Sequence, residues 1–167
     1  MSDIDFLRKI YIFNTLNEEE AKRILAITRE VEFLDGETIM EEGAPGSTMY
    51  IITKGAVEIS KTLTMALGKG EHEEREKVLT TLKAEDHVVF GEMALIGEEV
   101  RSASIFAKGY CKLLEIAKDD FWNLMNSRSD MGLKILRRIA ELVCKRLKEA
   151  SNDIIRLTTA LSIALSK

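Results

Sequence analysis

Between Val31 and Ala117, short runs rich in Ile, Val and Thr alternate with turn signals at Asp35-Gly36, Pro45-Gly46, Lys54-Gly55, Gly68-Lys69-Gly70, Gly97 and Lys108-Gly109. Breaks at such intervals fit antiparallel strands joined by short connections, closed into a barrel or jelly roll. The charged stretch from Lys69 to Lys77 reads as a hairpin tip. Helical patterns flank this region on both sides. Asn17, with Glu20 three residues on, reads as an N-cap with its reciprocal carboxylate, opening an amphipathic helix.

After Lys118 the pattern is helical to the end. Asp119 to Met125 reads as a short helix, and a long one follows from about Asp130. Along it Leu136, Ala140, Val143, Leu147, Ala150, Ile154, Leu157, Leu161 and Ala164 recur at alternating steps of four and three. That spacing is the seam of a coiled coil. A helix running from Asp130 toward Ser166 would be about 50 Å long, more than one barrel covers. The seam therefore calls for a second helix, most simply the same one from another copy in a parallel homodimer. The alternative is a helix packed wholly on its own domain, for which Ile135, Ile139 and Leu142 offer a separate face. The expected division is residues 1–127 as helices plus β-roll, and 128–167 as the long helix.

At 167 residues, 46% hydrophobic and 31% charged, the chain suits one globular domain with its own core. The most apolar tail, Leu157 to Leu165, is too short and too rich in Thr and Ser to span a membrane. An acidic N-terminus lacks the basic region of a secretory signal, which points to the cytoplasm. Cys111 and Cys144 are expected to be buried free thiols, and neither His72 nor His87 has a partner at metal-ligand spacing. A net charge of −4 argues against general nucleic-acid affinity. From Arg128 onward, nine basic side chains stand against four acidic ones, which leaves the first 127 residues at −9.

Chemistry concentrates in Phe90-Gly91-Glu92-Met93-Ala94-Leu95-Ile96 and the following Arg101-Ser102-Ala103. Glu92 can accept hydrogen bonds from sugar hydroxyls. Arg101 presents a planar fork of donors to a phosphate, a charge-assisted bond contributing roughly 1.5–3 kcal/mol. Gly91 permits close backbone approach, and the apolar run after it opens a short helix whose N–H groups face an anion. A surface Glu–Arg ion pair would fit the spacing equally well.

This order resembles the phosphate-binding cassette of cyclic-nucleotide-binding domains, of the type found in the catabolite activator and in regulatory subunits of cAMP-dependent kinase. A second stretch, Ile39-Met40-Glu41-Glu42-Gly43-Ala44-Pro45-Gly46-Ser47 followed by Met49 to Ile59, is similar to the family's two-strand-and-turn pattern. The resemblance covers roughly residues 5 to 150. It implies an α+β fold, an antiparallel jelly-roll-like β-roll flanked by N-terminal helices and a long C-terminal dimerisation helix. It also implies a cyclic nucleotide, cAMP by default and cGMP as the alternative, with Glu92 on the ribose and Arg101 and Ser102 on the cyclic phosphate. Backbone N–H groups near Gly91 and Ala103 would complete the anion shell. Ile59, Leu79, Thr80 and Val89 match pocket-lining positions, with plain strand core as the other reading. On the long helix, Ser151 and Asn152 are candidates to meet the base, and Arg146 to pair with Glu92. All three also fit ordinary exposed helix positions.

The sequence departs from the family pattern at Val100, where Pro is frequent, and at Glu85-Asp86, where Gly-Asp is usual. After the long helix there is no length for a helix-turn-helix domain. No nucleophile–base pair, metal cluster or paired acids suggest an enzyme. The expectation is a stand-alone sensor acting through an unnamed protein partner, with no direct nucleic-acid or membrane contact and no metal. The competing readings are a degenerate interaction module and a transcription factor cut before its DNA-binding half.

Overall fold

The computed structural model describes residues 3–68, 71–97 and 100–166, backbone only over 63–68 and 71–75. Lys69, Gly70 and the C-terminal Lys167 lie outside the described residues, as does part of the expected hairpin tip. Among the described residues, two N-terminal helices, α1 (Asp3–Leu7) and α2 (Glu18–Ala26), flank a 3-10 turn at Tyr11–Phe13. Asn17 caps α2, its side chain accepting from the Glu20 N–H while the Glu20 carboxylate accepts from the Asn17 N–H. Six strands follow: β1 (Thr28–Phe33), β2 (Thr38–Met40), β3 (Thr48–Gly68), β4 (Glu71–Lys83), β5 (Val89–Phe90) and β6 (Ser104–Ala117). Between β5 and β6 lies the short helix α3 (Met93–Ile96), and after β6 come α4 (Lys118–Ser127) and α5 (Ser129–Leu165).

The strands pair antiparallel in the order β1-β6-β3-β4, with β2 also on β6 and β5 also on β3. The two long strands exchange neighbours along their length. At Tyr50 and Ile51, β3 lies between β6 and β5; from Ala56 to Ser60 it lies between β6 and β4. The register shifts between Ile52 and Ala56, where Gly55 takes φ 82°, and these irregularities bend the sheet into a roll. Among the described residues β1 and β4 are not paired with each other, so the sheet curls without closing into the barrel expected from the turn spacing. Bulged long strands supply the curvature here, and edge closure is not needed for it.

Strand alternation splits the apolar residues between two cores. Met49, Ile51, Val89 and Ile116 pack toward the helices with Phe13, Ile24, Leu95, Phe121, Ile135 and Ile139. Their strand neighbours Tyr50, Ile52, Phe90 and Leu113 point into the roll with Met40, Val57, Ile105 and Cys111. Of the two cysteines only Cys111 is buried; Cys144 is exposed on α5.

Helix α5 has two regimes. Its first turns bury Met131, Ile135 and Ile139 and are tied to the N-terminal helices by Lys134–Glu20 at 2.7 Å and by Tyr11 Oη donating to Glu141 at 2.8 Å. Arg138, with Tyr11 and Arg137, holds the Glu141 carboxyl down to about 2. From Val143 to Ser166 every residue is exposed, a stretch of roughly 36 Å at 1.5 Å per residue whose first turn still meets the cassette through Arg146. No described helix is long and apolar enough to cross a membrane.

Candidate functional site

A cavity of about 270 Å³ opens on the interior face of the roll. The cassette lines one side with Phe90, Gly91, Glu92, Met93 and Ala94, and its return strap another with Arg101, Ser102 and Ala103. Strand residues Ile59 and Thr80 reach it from β3 and β4, and Arg146 from α5. Sequence reasoning missed Met40, Leu82 and Ile105, which also line it. The signal for Ile105 was its alternation with buried Ala107 along β6.

Two expected lining residues and the two candidates to meet the base lie outside the cavity wall. Leu79 is 53% exposed and absent from the wall, because Ile59 pairs with Thr80 and Ser60 with Val78, which leaves Leu79 as the extra residue of a bulge. Val89 is buried but faces the helical core, since Phe90 beside it takes the interior face. Ser151 and Asn152 are exposed on α5 outside the cavity wall, and the Ser151 hydroxyl donates to the Leu147 carbonyl of its own helix.

Arg101 carries the site's positive charge. The residue is only 9% exposed, its Nη1 donating to the Thr48 carbonyl and its Nη2 to the Thr48 hydroxyl, both at 2.7 Å. The strap is pinned on both sides by backbone bonds, Arg101 N to Ala44 O and Gly43 N to Arg101 O, each 2.9 Å. Two glycines make room for the guanidinium. A Cβ on Gly46 would stand 2.0 Å from Arg101 Nε, and one on Gly91, at φ 78°, would meet the Thr48 carbonyl at 2.8 Å and Arg101 Nη1 at 3.1 Å. Burial lowers the guanidinium's proton affinity, and the nearby Tyr50 and Glu115 act in the opposite sense. It stays charged, since its ordinary range lies so far above neutrality.

Glu92, at the N-cap of α3, is 1% exposed and ion-paired with Arg146 Nη1. The partly exposed Arg146 reaches in from α5 and also approaches the Val89 carbonyl at 3.5 Å. Leu95, next in the cassette helix, accepts at its carbonyl from Trp122 Nε1 at 2.7 Å, so α4 steadies the segment. One carboxylate and two guanidiniums, Glu92 with Arg101 and Arg146, thus share the wall of a single cavity. A second, almost wholly apolar cavity of about 310 Å³ lies between α3 and α5, lined by Met93, Ile96, Leu136, Ala140 and Val143. It lacks any group to hold an anion. Among the described residues no cluster of three or more His, Cys, Asp or Glu side chains is placed to hold a metal.

The cyclic nucleotide-binding domain family matches residues 30–128, which contain most of β1, all of β2 to β6 and the cassette, and the chain belongs to that family. It is 32% identical over 84% of its length to a cGMP-dependent protein kinase of Caenorhabditis briggsae, covering 18% of that protein. It is 31% identical over 70% of its length to a cAMP-dependent protein kinase regulatory subunit of Dictyostelium discoideum, covering 34% of it. The chain therefore spans about a third of one of these relatives and less than a fifth of the other. Among solved structures, Thermus thermophilus catabolite activator protein aligns with a TM-score of 0.73 and 27% identity, over 88% of this chain and 62% of that one. The regulatory domain of Toxoplasma gondii PKA, solved with cAMP, aligns at 0.63 and 28%, over 83% of this chain and 48% of that one.

Proposed function

We propose that the chain is a non-enzymatic cyclic-nucleotide sensor whose ligand occupies the cavity between cassette and strap. The observation that carries this reading is Arg101, a buried cation at the cavity wall held through two neutral acceptors on Thr48. A cation so held keeps its attraction for a phosphate, and low local dielectric strengthens it. Ser102 at the cavity wall adds a hydroxyl to the same anion. Glu92 accepts from the ribose hydroxyl, and the base lies along Ile59, Thr80 and Leu82. Cyclic AMP is the favoured ligand and cGMP the alternative; the relatives include both cAMP- and cGMP-dependent systems.

Arg146 supplies the output. A ribose hydroxyl on Glu92 shares the carboxylate with Arg146, so ligand binding alters a polar tie between cassette and α5. Ser151 and Asn152, just over one turn further on, remain the candidates to meet the base in the liganded state. The exposed seam of Leu147, Ile154, Leu157 and Leu161 makes α5 a homodimer helix, and a protein effector in the cytoplasm would read its arrangement. The apolar cavity beside α3 includes Leu136, Ala140 and Val143 of the same seam, which joins cassette and dimer helix.

Thermal-shift and calorimetric titration with cAMP, cGMP and cyclic dinucleotides tests the ligand. At a hundredfold excess over Kd the expected stabilisation is about 2.7 kcal/mol. No shift with any of them would support the degenerate interaction module instead. For the dimer, Leu147→Glu with Ile154→Glu is expected to give a monomer by light scattering with an unchanged circular dichroism spectrum below 250 nm, roughly the far-ultraviolet region of helices and sheets. A dimer that survives both substitutions would exclude the seam as its interface.

A further inference from the structure

Behind the cavity wall, Arg101 is the first member of a chain of side chains that crosses three strands to the surface. Its Nη2 donates to the Thr48 hydroxyl at 2.7 Å, and Tyr50 stands two residues along β3 on the same face. Tyr50 Oη donates to Glu115 Oε2 at 2.9 Å. Glu115 is the register partner of Tyr50 on β6 and of Arg29 on β1, and its Oε1 accepts from Arg29 Nη2 at 2.7 Å. Tyr50 is buried and stacks on Phe90 of the cavity wall, ring centroids 5.4 Å apart.

The two ends of this chain fix its sense. A guanidinium only donates and an ionised carboxylate only accepts. Thr48 takes the hydrogen bond from Arg101 on its oxygen, and Tyr50, beside it on the same face of β3, gives its proton to Glu115. The carboxylate thereby opposes the buried charge of Arg101 from behind and occupies none of the guanidinium edge that faces the cavity. On the reading of the cavity as a cyclic-nucleotide site, we infer that Tyr50 and Glu115 are positioning residues for Arg101, holding its fork at the angle that meets the phosphate.

The bland account makes Tyr50 a core side chain and Glu115 half of a surface ion pair with Arg29, with no bearing on the ligand. The two accounts separate on Tyr50→Phe, which keeps ring and stacking, on Glu115→Gln, which keeps an acceptor and loses the charge, and on Glu115→Leu, which loses both. Affinity is measured for cAMP and cGMP, and for the two phosphorothioate diastereomers of the tighter one, which differ only in the exocyclic oxygen replaced by sulfur. Tyr50→Phe and Glu115→Leu are expected to weaken binding roughly five- to twentyfold, with Glu115→Gln in between, and to shrink the affinity ratio between diastereomers. A role confined to stability moves the melting temperature and leaves that ratio alone. An unmodified protein that binds neither nucleotide overturns the reading of the cavity and this inference with it. An unmodified protein that binds, with folded Tyr50→Phe and Glu115→Gln matching it in affinity and ratio, overturns the inference alone.

Discussion

Arg101→Ala is expected to cut cyclic-nucleotide affinity by about a hundredfold or more while the protein stays folded. Two charge-assisted bonds to a phosphate, at roughly 1.5 kcal/mol or more each, account for that factor. The fold tolerates the change because Arg101 is itself costly to bury. Its guanidinium is largely desolvated and its direct partners are neutral oxygens of Thr48, so removing it relieves a desolvation penalty as it breaks two hydrogen bonds. Arg101→Lys should fall between, since an ammonium keeps the charge and loses the planar fork. Calorimetry gives the affinities and a melting curve the stability. Unchanged affinity in a folded Arg101→Ala protein would sink the assignment of the site.

The second large effect is expected at Gly46, a residue that does not line the cavity. A Cβ there lies 2.0 Å from Arg101 Nε, 2.4 Å from Cζ and 2.6 Å from Nη2, and atoms never approach so closely. The backbone at Gly46 needs no left-handed conformation, unlike that at Gly91. Gly46→Ala therefore leaves the loop intact and displaces the guanidinium, whose contacts with Thr48 are lost. Binding should weaken by at least about thirtyfold, the loss of roughly 2 kcal/mol of charge-assisted bonding. The signature is epistasis: on an Arg101→Ala background, Gly46→Ala should cost nothing further, because both act on one side chain. Additive losses in the double variant would show that Gly46 acts on the ligand by another route.

Much of this was legible in the chain because it is local. The groups of the cassette sit within one short stretch, so Glu92, Gly91 and Arg101 reach the same cavity by backbone proximity. The N-cap of α2 and the seam on α5 are likewise short-range patterns, readable by spacing alone. Val89 and Leu79, expected in the pocket from the family resemblance, show where a match of positions fails. Both sit in strand runs that alternate correctly, and only the pairing decides which phase faces inward. Phe90 took the interior face and sent Val89 to the helical core, and the bulge opposite Ile59 and Ser60 left Leu79 outside. Cys144 fails for a different reason. The lack of a partner at disulfide or metal spacing suggested a buried thiol, but Cys144 lies on an exposed stretch of α5.

The turn-punctuated strands, the cassette and the seam were determined by sequence alone, since each depends on residues within a few positions of one another. Only the tertiary structure decided that Thr48 would hold Arg101, that Gly46 would leave it space, and that Tyr50 and Glu115 would stand behind it. Those contacts join β3, β6 and the strap across the fold, and a register fixed by hydrogen bonds between strands brings them together. A shift of one residue in that register would turn every one of these side chains to the other face.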